Sequence, residues 1–353
     1  MSAENVQEEA QYEEQCGRMF EGVCAELAAE TKRGVVAFKF GGSSLLGAQR
    51  MLHAANLVKE AARTSHVTVV VSAMKGVTDQ LLALAKLVET GNLVEANYKA
   101  ASLLRLHADV LLELQLEELD HQRVWHDFRL LGRDLLHEVS RPLREGRGSR
   151  ASSEALHDSL ASFGERFSAR LFAAALDASG VPAVPVTSAE FVLTCDTFRD
   201  AKPQMEETRR RGRAVLQPLL DSGLVPVVTG FVGATRDGRV TTLGRNSSDY
   251  SGAIIAHVVD ADELVIWTDV DGVYTANPNE SREARLLHQL SYEEAHALAA
   301  AGAKVLHADV LPLAAETEMV VWVRNTFNPE FRGTRIGPQV PIGQPENSRR
   351  GDA

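Results

Sequence analysis

Two stretches of the chain, "VVAFKF" at 35–40 and "VTVVVSA" at 67–73, are apolar almost without interruption, and a segment of helical length separates them. Unbroken, β-branched apolar runs suit strands buried on both faces. Parallel strands need a long crossover, and its helix covers one face of the sheet. This narrows the chain to an α/β fold: a three-layer αβα sandwich with a mostly parallel central sheet. The alternation returns later. "LVPVVTGFVG", "DELVIWTDVDGVYT" and "MVVWVRNT" read as buried strands and "VPAVPVTSAEF" as an extended segment. "GRVTTLGRNSSDYSGAIIAHVVDA" reads as a hairpin-like turn running into a helix.

Helical signals fill the rest. A helix is expected through about residue 63. From about 79 to 145 the leucine-rich sequence reads as a helical insertion beside the sheet. "REGRGSRASS" (144–153) reads as a loop and "LHDSLASFGERFSARLFAAALDASG" as one helix. "TRRRGRAVLQPLLDSG" reads as a helix with its arginines in water. Ser291 and Glu294 have capping-box spacing, and a further helix is expected near 303–316. Tyr12, Cys16, Met19, Phe20, Val23, Cys24 and Leu27 recur at helical spacing. Residues 1–33 are therefore expected to form an amphipathic extension that covers an apolar surface of this chain or of a partner. The main domain is expected over 34–338, with 339–353 a disordered tail.

The net charge of -11 argues against a nucleic-acid or membrane-surface partner, and an anionic ligand would need a local positive site. Three cysteines without a CxxC pair suit a reducing compartment. The eleven histidines lack metal-site spacing. The acidic start "MSAENVQEEAQYEEQ" has no apolar core of a leader, and no window has the roughly 18 apolar residues of a membrane span. A cytoplasmic location is expected.

In open α/β sheets the ligand sits beyond the carboxyl ends of the strands. Four polar clusters fall at such ends: "KFGGSS" (39–44), "SAMKGVT" (72–78), "TGFVG" (229–233) and "WTDVDGVYTANP" (267–278). A fifth, "TLGRNSSDYSG" (242–252), opens a helix. The first is neither a Walker A sequence nor GxGxxG. Gly41 and Gly42 could let backbone N–H groups approach a phosphate, with Lys39 beside them, but an ordinary turn is the commoner use of such glycines. In the fifth, Arg245 could clamp a carboxylate and Asp249 could orient Lys39. Alternatively Ser248 or Asp249 is a plain helix cap. Asp269 and Asp271 lack the further ligands of a calcium loop, and a turn against ribose or adenine suits them better.

Taken in order, "KFGGSS", "VVVSAMKGVTDQL", "SFGERFSA", "GFVG", "TLGRNSSDYS", "IWTDVDGVYTANP", "GAKVLH" and "RNTFNPEFRGT" resemble the catalytic domain of the aspartokinase family, which has the amino-acid-kinase fold. The likeness runs from about Val35 to Ile336. "LGRNSSDYS" and "IWTDVDGVYT" look nearest to the kinase half of bifunctional aspartokinase–homoserine dehydrogenases. The resemblance implies transfer of the γ-phosphoryl of MgATP to the β-carboxylate of L-aspartate. It implies Lys39 on the transferring phosphoryl, oriented by Asp249, with Gly41, Gly42 and Ser43 lining the phosphate loop. It further implies Arg245 on the substrate α-carboxylate and Glu165 on its α-ammonium, with Ser72, Thr78, Phe231 and Ser248 completing that pocket. Thr268, Asp269, Tyr274 and Lys304 would contact the nucleotide. Magnesium would be held mainly through the nucleotide phosphates, with no protein ligand named, and a homodimer is implied.

Departures accompany the likeness. Asn277, Pro278 and Asn279 stand where the family usually has Asp-Pro-Arg, so either weaker ATP binding or a substitute cation such as Arg282 or Arg285 would follow. Asn246 and Ser247 replace a usual glycine pair, which stiffens that loop. Ala308 replaces a proline. Seventeen residues follow Ile336, too few for the family's ACT regulatory domains, so no intrinsic feedback inhibition is expected. Two other readings remain: a sister kinase acting on another carboxylate-bearing amino acid, and a catalytically weakened regulatory subunit.

Overall fold

A computed structural model describes residues 34–145, 150–276, 283–300 and 306–338. β1 (Val35–Phe40) passes through a glycine-rich turn to α1 (Ala48–Ala62) and β2 (His66–Val71). Helices α2 (Val77–Thr90), α3 (Leu93–Glu113), α4 (Glu118–Glu145), α5 (Arg150–Ala161) and α6 (Phe163–Ala178) follow. Next come β3 (Ala183–Val186), α7 (Met205–Asp221), β4 (Val225–Thr229), the hairpin β5 (Val232–Ala234) and β6 (Val240–Thr242), and α8 (Ser248–Val258). The chain continues through β7 (Glu263–Thr268), β8 (Val273–Tyr274), β9 (Leu286–Leu287), β10 (Gln289–Leu290), α9 (Tyr292–Ala300), α10 (Val310–Glu316), β11 (Val320–Asn325) and β12 (Thr334–Ile336).

The main sheet has the order β10-β12-β11-β7-β1-β2-β4-β3. The strands from β11 to β3 are parallel, while β12 runs antiparallel to β11 and carries β10 with it. Alternation along the strands divides the core into two layers. Phe38, Phe40, Val69 and Val71 face α1, α2, α3, α4 and α6. Ala37, Val70, Val228 and Ile266 face α7, α8 and α10. This is the expected αβα sandwich, and period-2 alternation puts Lys39 on the α8 side with Ala37.

Several local expectations change. The single helix expected over 156–180 is two, α5 and α6, parted at Ser162, whose N–H still reaches the Asp158 carbonyl at 3.0 Å. The segment 144–153, read as a loop, is helical up to 145 and again from 150. The strand expected over 67–73 ends at Val71, and Ser72 opens the turn. The capping box forms as expected: Ser291 N–H donates to Glu294 Oε2 at 2.8 Å, and Glu294 N–H donates to Ser291 Oγ at 3.2 Å. In the helix expected near 303–316, α10 begins at Val310 and residues 301–305 lie outside the described residues. The expected extension 1–33 and tail 339–353 also lie outside them. Among the described residues no helix is long and apolar enough to cross a membrane.

His107 on α3 is a buried ionisable group in the helical layer. Its Nδ1 donates to the Leu103 carbonyl at 2.7 Å, its ring stacks on Phe167, and its Nε2 has no partner among the described residues. Burial pushes its pKa down to about 4. The unfolded chain therefore takes up this proton first, so stability is full above pH 6.5 and declines as the pH falls towards 4. The loss should reach roughly 3 kcal/mol. Urea unfolding of wild type and His107→Leu at pH 7 and pH 4.5 checks this: only the wild type should lose that increment.

Candidate active site

The site is built on the carboxyl ends of β1, β2, β4 and β7. Lys39, the fifth residue of β1, is 8 % exposed, and its Nζ lies 2.6 Å from Asp249 Oδ1. The contact follows from the fold. Lys39 projects toward α8, Asp249 occupies the first turn of that helix, and Gly252 one turn on makes room. A Cβ at Gly252 would sit 3.1 Å from Lys39 Cβ. Ser247, just before α8, holds the N-cap position, so neither Ser248 nor Asp249 does. Asp249 is therefore a partner for Lys39 rather than a cap.

The glycine loop lies against both neighbouring strands. Gly41 N–H donates to the Trp267 carbonyl at the end of β7 (3.2 Å), and the Gly42 carbonyl accepts from Lys75 N–H (3.0 Å). A Cβ at Gly42 would stand 2.6 Å from the Ala73 carbonyl oxygen, a distance no side chain tolerates, so the close approach of the two turns requires glycine. The three loop residues differ in what their amides meet. The Gly41 amide is already engaged, whereas the N–H groups of Gly42 and Ser43 meet no protein acceptor among the described residues.

Glu165, in the first turn of α6, is 2 % exposed. Its Oε1 accepts from Ala73 N–H at 3.1 Å, and its buried Oε2 has no partner among the described residues. Burial pushes the carboxyl up to about 8, against the pull of the Ala73 hydrogen bond. Beside it lie Ser72, whose N–H donates to the Phe40 carbonyl, and Thr78 in the first turn of α2. Phe231 forms the turn between β4 and β5 at φ 65, an unfavourable region for a bulky side chain. Its N–H donates to Ser251 Oγ on α8 at 2.7 Å, which holds the turn there. Ser248 opens α8 next to Gly230.

Arg245 is 81 % exposed in its side chain and meets Asp79 at 3.4 Å. Asn246, one of the two residues that replace the usual glycine pair, adopts φ 64, a left-handed conformation asparagine tolerates better than most residues. Ser247 is buried and donates to the Gly244 carbonyl at 2.7 Å. The loop thus keeps its turn without the glycine pair.

At the end of β7, Thr268 Oγ1 donates to Asp269 Oδ1 at 3.3 Å, Asp269 is exposed, and Tyr274 lies half-buried on β8. Asp271 accepts from the side-chain amides of Asn325 and Asn328, so it is a structural acceptor. Lys304, Asn277, Pro278, Asn279 and Arg282 lie outside the described residues. Arg285 is exposed and pairs with Thr275 through the backbone. Among the described residues no group of three or more His, Cys, Asp or Glu could hold a metal ion. Lys39, Gly42, Glu165, Phe231 and Asp249 thus gather around β1, β2 and β4, whereas Thr268 ends β7 with Asp269 after it and Tyr274 lies on β8. Sequence reasoning missed Asp79, Asp158 and Ser251, none of which carries a local signature of its own.

A groove of about 480 Å³ opens elsewhere, beyond the other end of α8, lined by Glu206, Arg209, Arg210, Arg213, His257 and Glu316 among others. Its arginines are already committed, Arg209 and Arg213 to Asp260 and Arg210 to Glu207. The chemistry-bearing residues of the strand ends are not in it.

The model of the amino acid kinase family matches residues 34–325. Lysine-sensitive aspartokinase 3 of Escherichia coli is 33% identical over 302 residues, which cover 86% of this chain and 64% of that protein. Bifunctional aspartokinase/homoserine dehydrogenase 2 of the same organism is 32% identical over 319 residues, 88% of this chain and 36% of that protein. The crystal structure of E. coli aspartokinase III in complex with aspartate and ADP superposes with a TM-score of 0.77 at 30% identity, covering 87% of this chain and 65% of that one. The chain spans less than two thirds of the length of these relatives. With its family match covering most of the sequence and its sheet carrying the same fold, the chain belongs to the amino acid kinase family.

Proposed function

We propose that the chain is an aspartate kinase, transferring the γ-phosphoryl of MgATP to the β-carboxylate of L-aspartate. The observation that carries this reading is the Lys39–Asp249 pair at 2.6 Å beside the unengaged amides of Gly42 and Ser43. That arrangement suits a phosphoryl group moving between two anions. A carboxylate with a pKa near ~3.9 is ionised at neutral pH, so no general base is required. An oxygen of the substrate carboxylate attacks the γ-phosphorus, the new O–P bond forms, and the bond to the β,γ-bridging oxygen breaks. Its electron pair leaves on ADP. Lys39 neutralises charge on the transferring oxygens, and Asp249 keeps its ammonium aimed.

In this reading Arg245 leaves Asp79 to take the α-carboxylate, and Glu165 offers its unpartnered Oε2 to the α-ammonium. Ser72, Thr78, Phe231 and Ser248 complete the pocket. Thr268, Asp269 and Tyr274 contact the nucleotide, and Lys304 reaches its phosphates. Magnesium would enter with the nucleotide and supply charge neutralisation there, held by the phosphates rather than by a protein cage. The catalytic domain is residues 34–338 with the helical insertion at about 79–145, and the protein is a cytoplasmic homodimer.

Incubation with MgATP, L-aspartate and hydroxylamine tests the reading, because an acyl phosphate is trapped as the hydroxamate. Aspartyl hydroxamate is expected. Product with glutamate or another amino acid but none with aspartate would move the assignment to a sister kinase. No product with any acid from folded protein would leave a non-catalytic subunit.

A further inference from the structure

Asp158 lies outside every motif discussed so far, and it is only 2 % exposed. It sits near the end of α5, seven residues before Glu165, across the break at Ser162. Both oxygens of its carboxylate are engaged. Oδ2 accepts from the backbone N–H groups of Arg199 (2.8 Å) and Thr242 (2.9 Å), and Oδ1 accepts from Thr242 Oγ1 (2.8 Å). Burial pushes the carboxyl up and these three bonds draw it down.

The partners of Asp158 lead to the substrate arm. Thr242 ends β6, and Leu243, Gly244 and Arg245 follow it directly. The Thr242 carbonyl accepts from Ala201 N–H at 2.9 Å, and Leu243 N–H donates to the Phe231 carbonyl at 2.9 Å. A Cβ at Gly244 would lie 2.9 Å from Asp200 Oδ1, so the 199–201 loop and the Arg245 loop are in close contact. Arg199 itself adopts φ 67, and the bond from its N–H to Asp158 helps to hold that conformation.

We infer that Asp158 is a positioning residue for acceptor recognition: it fastens the β6 loop carrying Arg245 to the α5–α6 unit carrying Glu165, and thereby sets the distance between the groups that receive the carboxylate and the ammonium of the substrate. The inference rests on the proposed roles of Arg245 and Glu165. Asp158 touches neither substrate nor nucleotide. Its effect is geometric, and displacement of a positioning group by about 1 Å can cost of the order of a hundredfold.

Asp158→Ala leaves two backbone N–H groups without an acceptor, whereas Asp158→Asn keeps one oxygen for them and turns an amide toward the Thr242 hydroxyl. Thr242→Val removes only the hydroxyl bond. With wild type active on aspartate, Asp158→Ala should raise KM for aspartate about 10- to 100-fold, with kcat within about threefold and KM for MgATP within about twofold. Thr242→Val should raise the same KM by less, and Asp158→Asn should recover most of the loss. A merely structural residue would lower thermal stability and leave both KM values of the folded enzyme unchanged, which would overturn the inference. Hydrogen exchange without substrate gives an independent readout. Amides over 239–247 should exchange faster in Asp158→Ala than in Asp158→Asn, and equal exchange in the two and wild type would also overturn it. If wild type made no aspartyl hydroxamate, the functional reading would fail, while the exchange result would still decide whether Asp158 fastens this loop.

Discussion

Lys39→Ala is expected to lower kcat by about 10³-fold or more, with KM for aspartate and MgATP changed far less. The residue is nearly buried, its ammonium is 2.6 Å from Asp249, and it stands beside the unengaged amides of the glycine loop. A cation in this position acts on charge that spreads over the transferring group, so its removal should appear in kcat. Lys39→Arg should not restore the rate. The ammonium is nearly buried and sits 2.6 Å from Asp249, and a planar guanidinium on a longer stem would not reproduce that compact point charge. Hydroxamate formation by variants whose melting transition matches wild type is the measurement. Activity within tenfold of wild type in Lys39→Ala would remove Lys39 from the mechanism.

Glu165→Gln is expected to raise KM for aspartate about 100-fold while kcat falls less, because the ammonium would lose its charged partner. The pH dependence gives a second signature. Burial holds the carboxyl at about 8 in the empty site, so at pH 7 it carries a proton. An arriving ammonium favours the ionised form, so binding at pH 7 should release the larger part of one proton. The sign follows: affinity for aspartate should rise by up to about tenfold per unit as the pH climbs towards 8, then level off. Calorimetry in two buffers of different ionisation enthalpy reads the proton directly. Release that persists in Glu165→Gln, or a KM that does not move, would show that the ammonium is received elsewhere.

Much of the fold was legible because the strongest signals are local. The run "VVAFKF" shows both its burial and its alternation, and alternation alone sends Phe38 and Phe40 to one helical layer and Lys39 to the other. The ordered motifs likewise put Asp249 on Lys39, whereas the contact of Glu165 with Ala73 in the β2–α2 turn came only with the structure. What was missed depends on long-range register. Nothing near Gly41 shows that its amide meets Trp267, since that contact arises only once β1 and β7 pair. The break at Ser162 lies between two helical patterns, and the nearby Gly164 sits inside α6 rather than at the break itself. The start of α5 was hidden in a stretch whose glycines and serines suggest a loop. Asp158 looked like any polar residue on a helix until β6 was brought against it.

The two layers of the sandwich also divide the labour of recognition. In the proposed function the phosphoryl end would rest on β1 and α8, where Gly252 packs against Lys39 and Asp249 pairs with it, whereas the acceptor head would meet α6 and the loop that follows the largely buried β5–β6 hairpin. For protein engineering this amounts to a map of what can be varied. Libraries aimed at a longer or shorter carboxylic acid belong in the turns around Thr78, Phe231 and Ser248, and the strand that carries Lys39 should be left as it is.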